Sequence, residues 1–292
     1  MIISSLSYLS SFNILYNIIN QQLFILVVHI LVSICMPKAK KPIIQLKNVV
    51  KRYNDYGVAV KALDAVSLEI FLGEFVSIIG PSGCGKSTLL HCMGLLDRPS
   101  SGVICIGGKD TSKISGREIA LFRGEKLGFV FQNYNLIPRL TALENVMLPG
   151  QIMEKDEGQL QKSAIALLKE VGLGHRIDHK GIHLSGGEKQ KAAIARALIN
   201  DPVLVLADEP TGALDSENST DIMNLLVKMN KKRDATFVYV SHDMDIASYG
   251  KRTLVLKDGK IVGDTKDNGD HFKKVLRSLN KKEGRKQKRG GT

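Results

Sequence analysis

No Lys, Arg, Asp or Glu occurs between positions 1 and 37. That excludes a secretory signal of the usual kind, which opens on a basic region. Cysteine is scarce. Cys35, Cys84, Cys92 and Cys105 form no C-x-x-C pair and no zinc spacing, so a reduced compartment fits best. No internal repeat and no heptad stretch is present, which excludes a solenoid and a long coiled coil. After Met36 no apolar run reaches the ~20 residues of a bilayer span, so any channel must be another polypeptide.

What remains is ordinary globular composition, in a chain of 292 residues. That length allows one large domain or two, with a core that needs no covalent staples. The formal net charge is +12, and much of the excess lies in residues 273–289. Such a balance suits nucleic acid or an anionic membrane surface. The chain divides into an apolar leader (1–37), a folded domain (38–268) and a basic tail (269–292). Within the tail, residues 281–289 are dominated by positive charge, lack a core-forming pattern and read as disordered. A solvated tail is the plain reading; contact with anionic lipid is the sharper one.

The leader is most apolar over residues 23–35, which is short for a span unless residues 14–19 join it across Asn20, Gln21 and Gln22. We expect the functional polypeptide to begin at Met36. The competing reading is an anchor with Lys38, Lys40 and Lys41 on its cytoplasmic side.

The chain is organised around Gly80, Pro81, Ser82, Gly83, Cys84, Gly85, Lys86, Ser87 and Thr88. They spell G-x-x-x-x-G-K-[ST] between a hydrophobic run (75–79) and a helix-compatible stretch (87–93). That context marks a phosphate loop. Its backbone N–H groups and the helix dipole suit phosphate, Lys86 suits the β- and γ-phosphates, and Ser87 suits Mg²⁺.

Around it, residues 43–49 and 66–70 alternate as strands, with Lys51, Arg52 and Tyr53 just after the first strand and a polar loop beyond them. Tyr53 is either a stacking platform for a base or a partly buried strand-end tyrosine. Residues 126–131 form a strand ending at Gln132, by itself an unremarkable polar residue. Residues 133–183 read as an inserted helical subdomain. Thr141 and Glu144 fit a capping box, on a helix that Pro149 and Gly150 stop. Gly172 ends a second helix.

Ser185, Gly186 and Gly187, with Glu188, start another helix; they form an anion site or an ordinary N-cap. Residues 203–206 form a central parallel strand delivering Asp208 and Glu209 to its carboxyl end. Asp208 there suits Mg²⁺, and Glu209 a water. A further strand (236–240) ends near His242, at the same edge. Residues 251–262 form a hairpin turning at Asp258 and Gly259.

In order, residues 80–88, Gln132, 184–188, 203–210, 213–215 and His242 resemble the motifs of an ATP-binding cassette ATPase: Walker A, Q-loop, signature, Walker B, D-loop and H-switch. Tyr53 resembles the A-loop aromatic that stacks on adenine. The likeness runs from Ile43 to Asp264. Residues 128–145 and 208–216 look like the lipoprotein-release and macrolide-export type. Glu188 stands where many cassettes have Gln, although this group often has Glu.

The resemblance implies an α/β fold: a P-loop NTPase with a RecA-like core, an antiparallel β-subdomain and an inserted helical subdomain. It implies ATP and Mg²⁺ as cofactors. Two copies would pair head to tail, each ATP touching residues 83–88 of one chain and Ser185, Gly186 and Gly187 of the other, with Glu188 and Asp215 also among the nucleotide-binding residues. Glu209 would polarise water, His242 would hold the γ-phosphate, and Gln132 would sense Mg²⁺ beside Ser87 and Asp208. The partner would be an integral membrane permease subunit, placing the protein at the cytoplasmic face of the membrane. A soluble cassette acting on DNA or ribosomes is the alternative, disfavoured by a single cassette without coiled coils. A regulator without turnover is disfavoured by the presence of both Asp208 and Glu209.

Overall fold

The computed structural model describes residues 41–55 and 58–266, so the leader and the basic tail lie outside the described residues. In chain order the strands are β1 (Pro42–Asp55), β2 (Val58–Phe71) and β3 (Phe75–Ile79). Helix α1 (Lys86–Met93) follows, then β4 (Ser101–Ile106), β5 (Lys109–Asp110), α2 (Arg117–Lys126) and β6 (Leu127–Phe131). Next come α3 (Ala142–Ile152), α4 (Glu157–Glu170), α5 (Gly186–Leu198) and β7 (Leu204–Asp208). The domain closes with α6 (Ser216–Arg233), β8 (Thr236–Ser241), α7 (Met244–Ala247), β9 (Arg252–Lys257) and β10 (Lys260–Asp264).

Two sheets result. A four-stranded antiparallel sheet runs β2-β1-β4-β5. A six-stranded sheet runs β10-β9-β3-β8-β7-β6, parallel except for the β9–β10 hairpin. The hairpin turns at Asp258 and Gly259, both at positive φ. Such backbone matches the twist of paired strands.

The central strands β3, β7 and β8 are buried almost throughout and read as near-continuous apolar runs. Val205, Ala207, Phe237 and Tyr239 pack with Val146 of α3, Leu160 of α4, Ile194 of α5 and Ile222 of α6. Leu204, Leu206, Val238 and Val240 pack on the other face with Leu89 and Leu90 of α1 and with Ile44, Leu46 and Ile104 of the small sheet. Each large apolar side chain buried there contributes about 1.5–3 kcal/mol. The strand alternation thus fastens one side of the sheet to the helices and the other to the second sheet.

Two local expectations fail. Helix α3 is not stopped by Pro149 and Gly150; it runs through them to Ile152. Propensity yields to packing here. Gly150 lies so close to α4 that a Cβ would sit 2.3 Å from Leu160 Cδ1, and the carbonyl of Pro149 accepts from Asn200 Nδ2 at 3.1 Å. The first strand is also longer than the 43–49 expected: Lys51, Arg52 and Tyr53 continue β1, where register shifts between Leu46 and Arg52 break the two-residue period.

The chain between β6 and α3 is held by one buried amide. Asn145 Nδ2 donates to the carbonyls of Ile137, Leu140 and Thr141, while its Oδ1 accepts from the N–H of Ile137 at 2.7 Å. Asn145→Leu strips all four contacts at nearly constant volume. We expect it to lower unfolding free energy by about 2–3 kcal/mol. Urea titration checks this: an unchanged midpoint would show that the loop does not depend on the amide.

Candidate functional site

The site follows from strand register. Ile79 of β3 pairs with Ser241 of β8, Asp208 of β7 pairs with Val240 of β8, and Phe131 of β6 pairs with Asp208. Four adjacent parallel strands therefore end at one level. Beyond those ends stand the phosphate loop, His242, Asp208 with Glu209, and Gln132. A carboxyl edge of this kind is where open α/β sheets bind ligands.

The loop wraps because Gly85 adopts φ +104 at the N-cap of α1, and a Cβ there would lie 2.4 Å from the carbonyl oxygen of Ala62. Only glycine meets both demands. Lys86 Nζ donates to the carbonyls of Gly80 at 2.8 Å and Pro81 at 3.0 Å, which holds the ammonium across the mouth of the loop. Cys84 is buried, and burial raises its thiol pKa. It is a wall of the loop and not a reactive thiol.

A cleft of about 970 Å³ opens beside the loop, walled by Tyr53, residues 82–88, Glu209 and His242. The size suits a nucleotide. Glu209 Oε1 and His242 Nδ1 lie 3.0 Å apart, with His242 64% exposed and Glu209 23%. Glu209 holds φ +44, which is uncommon for a residue with a side chain. Its N–H donates to the carbonyl of Val240, so the sheet itself holds this bend. Gln132, just beyond β6, does not line this cleft but stands close to Gly212. A Cβ on Gly212 would sit 2.8 Å from Gln132 Nε2 and 3.2 Å from Glu209 Oε2.

The residues also fit Mg²⁺. Ser87 Oγ donates to Asp208 Oδ1 at 3.1 Å, placing two hard oxygen donors side by side. Burial raises the Asp208 pKa, and this desolvated carboxylate would gain from a cation. Among the described residues no three His, Cys, Asp or Glu side chains converge into a metal cage. Mg²⁺ commonly uses one or two protein oxygens together with phosphates and water.

Other expected residues lie elsewhere. Ser185, Gly186, Gly187, Glu188 and Asp215 do not line this cleft. Ser185 caps α5, forming a reciprocal capping box with Glu188. Those bonds and Arg176 Nε at 2.8 Å hold the Glu188 carboxyl below its ordinary pKa. Asp215 caps α6, accepting from the N–H and Nδ2 of Asn218, each at 2.8 Å. A Cβ on Gly187 would lie 2.6 Å from Asn218 Oδ1, so the two caps pack together. The phosphate loop and the Ser185 corner are thus separate parts of one chain.

Sequence reading missed one support. The N–H of Gly259 donates to the carbonyl of Cys84 at 3.0 Å, and the carbonyl of Gly259 accepts from Asp64 at 2.9 Å. The β9–β10 turn straps the phosphate loop to β2. Its Asp-Gly signal pointed only to a turn.

The fold and this edge define a P-loop nucleotide-binding ATPase of the cassette type. Residues 63–212 match the family model described as ABC transporter. An uncharacterised ABC transporter ATP-binding protein of Thermotoga maritima is 48% identical over 223 residues, covering 76% of this chain and 95% of that protein. The lipoprotein-releasing system ATP-binding protein LolD of Shewanella frigidimarina is 42% identical over 80% of this chain and 99% of its own length. The macrolide export ATP-binding/permease protein MacB of Hyphomonas neptunium is 44% identical over 77% of this chain, but the match spans only 35% of that longer protein. Among solved structures, a post-hydrolysis dimer of the cassette MJ0796 bound to ADP and Pi matches with TM-score 0.70 and 45% identity, over 76% of this chain and 97% of that one. CbiO1 of Clostridium perfringens, part of an ABC transporter complex, matches with TM-score 0.70 and 30% identity, over 82% of this chain and 95% of that one. The chain belongs to the ABC transporter family, as an ATP-binding subunit.

Proposed function

We propose that the chain binds MgATP in the cleft and hydrolyses it to drive a separate membrane permease of the lipoprotein-release or macrolide-export type. The observation that carries the chemistry is the Glu209–His242 pair, 3.0 Å apart beside the phosphate loop. Relatives named for lipoprotein release and macrolide export support the subtype. Among the described residues no helix is long and apolar enough to cross a membrane, which suits a channel formed by a second polypeptide.

In this reading the loop N–H groups and Lys86 bind the phosphates, and the Tyr53 ring stacks on the base. Ser87 and Asp208 would hold Mg²⁺, and Gln132 would sense it; when bound, the ion would neutralise charge on the transferring phosphoryl group. Glu209 Oε1 orients a water and accepts its proton as the oxygen bonds to the γ-phosphorus and the bridging oxygen leaves. His242 holds that carboxylate in place. The site needs one more group to spread the developing charge. The N-terminus of α5, behind Ser185, supplies it from a second copy, and closure excludes water. The dimeric MJ0796 cassette bound to ADP and Pi supports the pairing of two copies.

Purification of the full chain from membranes of its native cell tests the reading. We expect a multi-span membrane protein to co-purify and Lys86→Ala to lower ATP turnover at least about a hundredfold. Recovery with ribosomes or DNA in place of a membrane protein would contradict it.

A further inference from the structure

Tyr53 is more constrained than a stacking ring needs to be. Its hydroxyl donates to Asp97 Oδ2 at 2.7 Å. Lys51 Nζ donates to Asp97 Oδ1 and to the carbonyl of Arg98 at 2.9 Å. The same ammonium stands 4.8 Å from the centre of the Tyr53 ring. Lys51 is 12% exposed and does not line the cleft, whereas Tyr53 does. Burial and then the Asp97 hydrogen bond push the phenol pKa up to about 12, so the hydroxyl remains a donor near neutral pH. Lys51 and Tyr53 belong to β1 of the small sheet. Asp97 lies four residues beyond the end of α1, the helix that opens on the phosphate loop.

We propose that Asp97 and Lys51 are positioning residues that fix the Tyr53 ring for a purine base and tie the base-binding strand to the phosphate-binding helix. Three contacts support this. The charged hydrogen bond at the hydroxyl sets the tilt of the ring. The ammonium covers ring surface outside the cleft and leaves the cleft side for the base. Asp97 joins the strand to the segment after α1, so the base and phosphate contacts keep a fixed spacing. The ordering cost of the aromatic side chain is met before nucleotide arrives.

The proposal rests on Tyr53 being the base contact, and the test separates the two ideas. Titration calorimetry on the full chain with Mg²⁺ would compare ATP with inorganic tripolyphosphate, which has no base. We expect Tyr53→Phe and Asp97→Ala each to weaken ATP about three- to tenfold while tripolyphosphate affinity stays unchanged. Asp97→Asn, which keeps an acceptor, should recover part of the loss. Asp97→Ala should add less in the Tyr53→Phe background than alone, because both changes cut the Tyr53–Asp97 contact. Tyr53→Phe keeps the ring and removes one exchangeable contact, so it remains informative if Asp97→Ala folds poorly. Two results overturn the proposal alone: ATP affinity within twofold of the parent in both variants while Tyr53→Ala weakens it, or equal loss for ATP and tripolyphosphate. If Tyr53→Ala itself leaves ATP affinity unchanged, the reading of Tyr53 falls and the proposal with it.

Discussion

Glu209→Gln should keep ATP bound and lower turnover by about two to four decades, the usual weight of a positioned base. The substitution is close to isosteric. It leaves the backbone at φ +44 and the N–H bond to Val240 in place. The amide can still face His242, but it cannot take a proton from water. Held at the hydrolysis step, the chain should accumulate as an ATP-bound dimer. Turnover near the parent rate would remove Glu209 as the base. The strained φ would then need another explanation, since left-handed backbone at a glutamate costs of order 1–3 kcal/mol.

Ser185→Arg should abolish hydrolysis and barely change the ATP affinity of the isolated chain. Ser185 accepts the N–H of Glu188 at the start of α5 and does not line the cleft. Loss of the cap costs about 1 kcal/mol. Helix α5 buries Ala192, Ile194, Ala195 and Leu198 in the core, so the fold should survive. What the arginine changes is the outer face of the corner. It adds bulk and positive charge at a helix N-terminus that already carries positive potential. Equilibrium binding of ATP measured beside steady-state turnover checks the split. A collapse of affinity in the monomer would make Ser185 a ligand within its own chain, and the shared site would be wrong.

Local signals made the phosphate loop legible. Its glycines, the strand before it and the helix after it lie within about twenty residues, and each has its own mark. Asp208, Glu209 and His242 were legible for a related reason: apolar β-rich runs end beside them, and parallel strands share a carboxyl edge. The end of β1 was not legible. Its bulges disrupt the alternation, so the strand reads as ending at Val49 although Lys51 and Tyr53 pair with Leu63 and Val60. Pro149 misled because a breaker signal is local, whereas the packing of α3 on α4 and α5 is not. The Gly259–Cys84 strap and the Tyr53–Asp97 bond join residues far apart in sequence. No periodicity encodes such pairs; only the folded chain brings them together.

In the proposed dimer, two copies complete each nucleotide site. Light scattering of the full chain with Mg²⁺ and ATP, applied to Glu209→Gln and to Glu209→Gln with Ser185→Arg, distinguishes this from a site built by one chain. We expect twice the 32.0 kDa chain mass for the first, and the monomer mass for the second with ATP still bound. A monomer in both, or a dimer that survives Ser185→Arg, would contradict it.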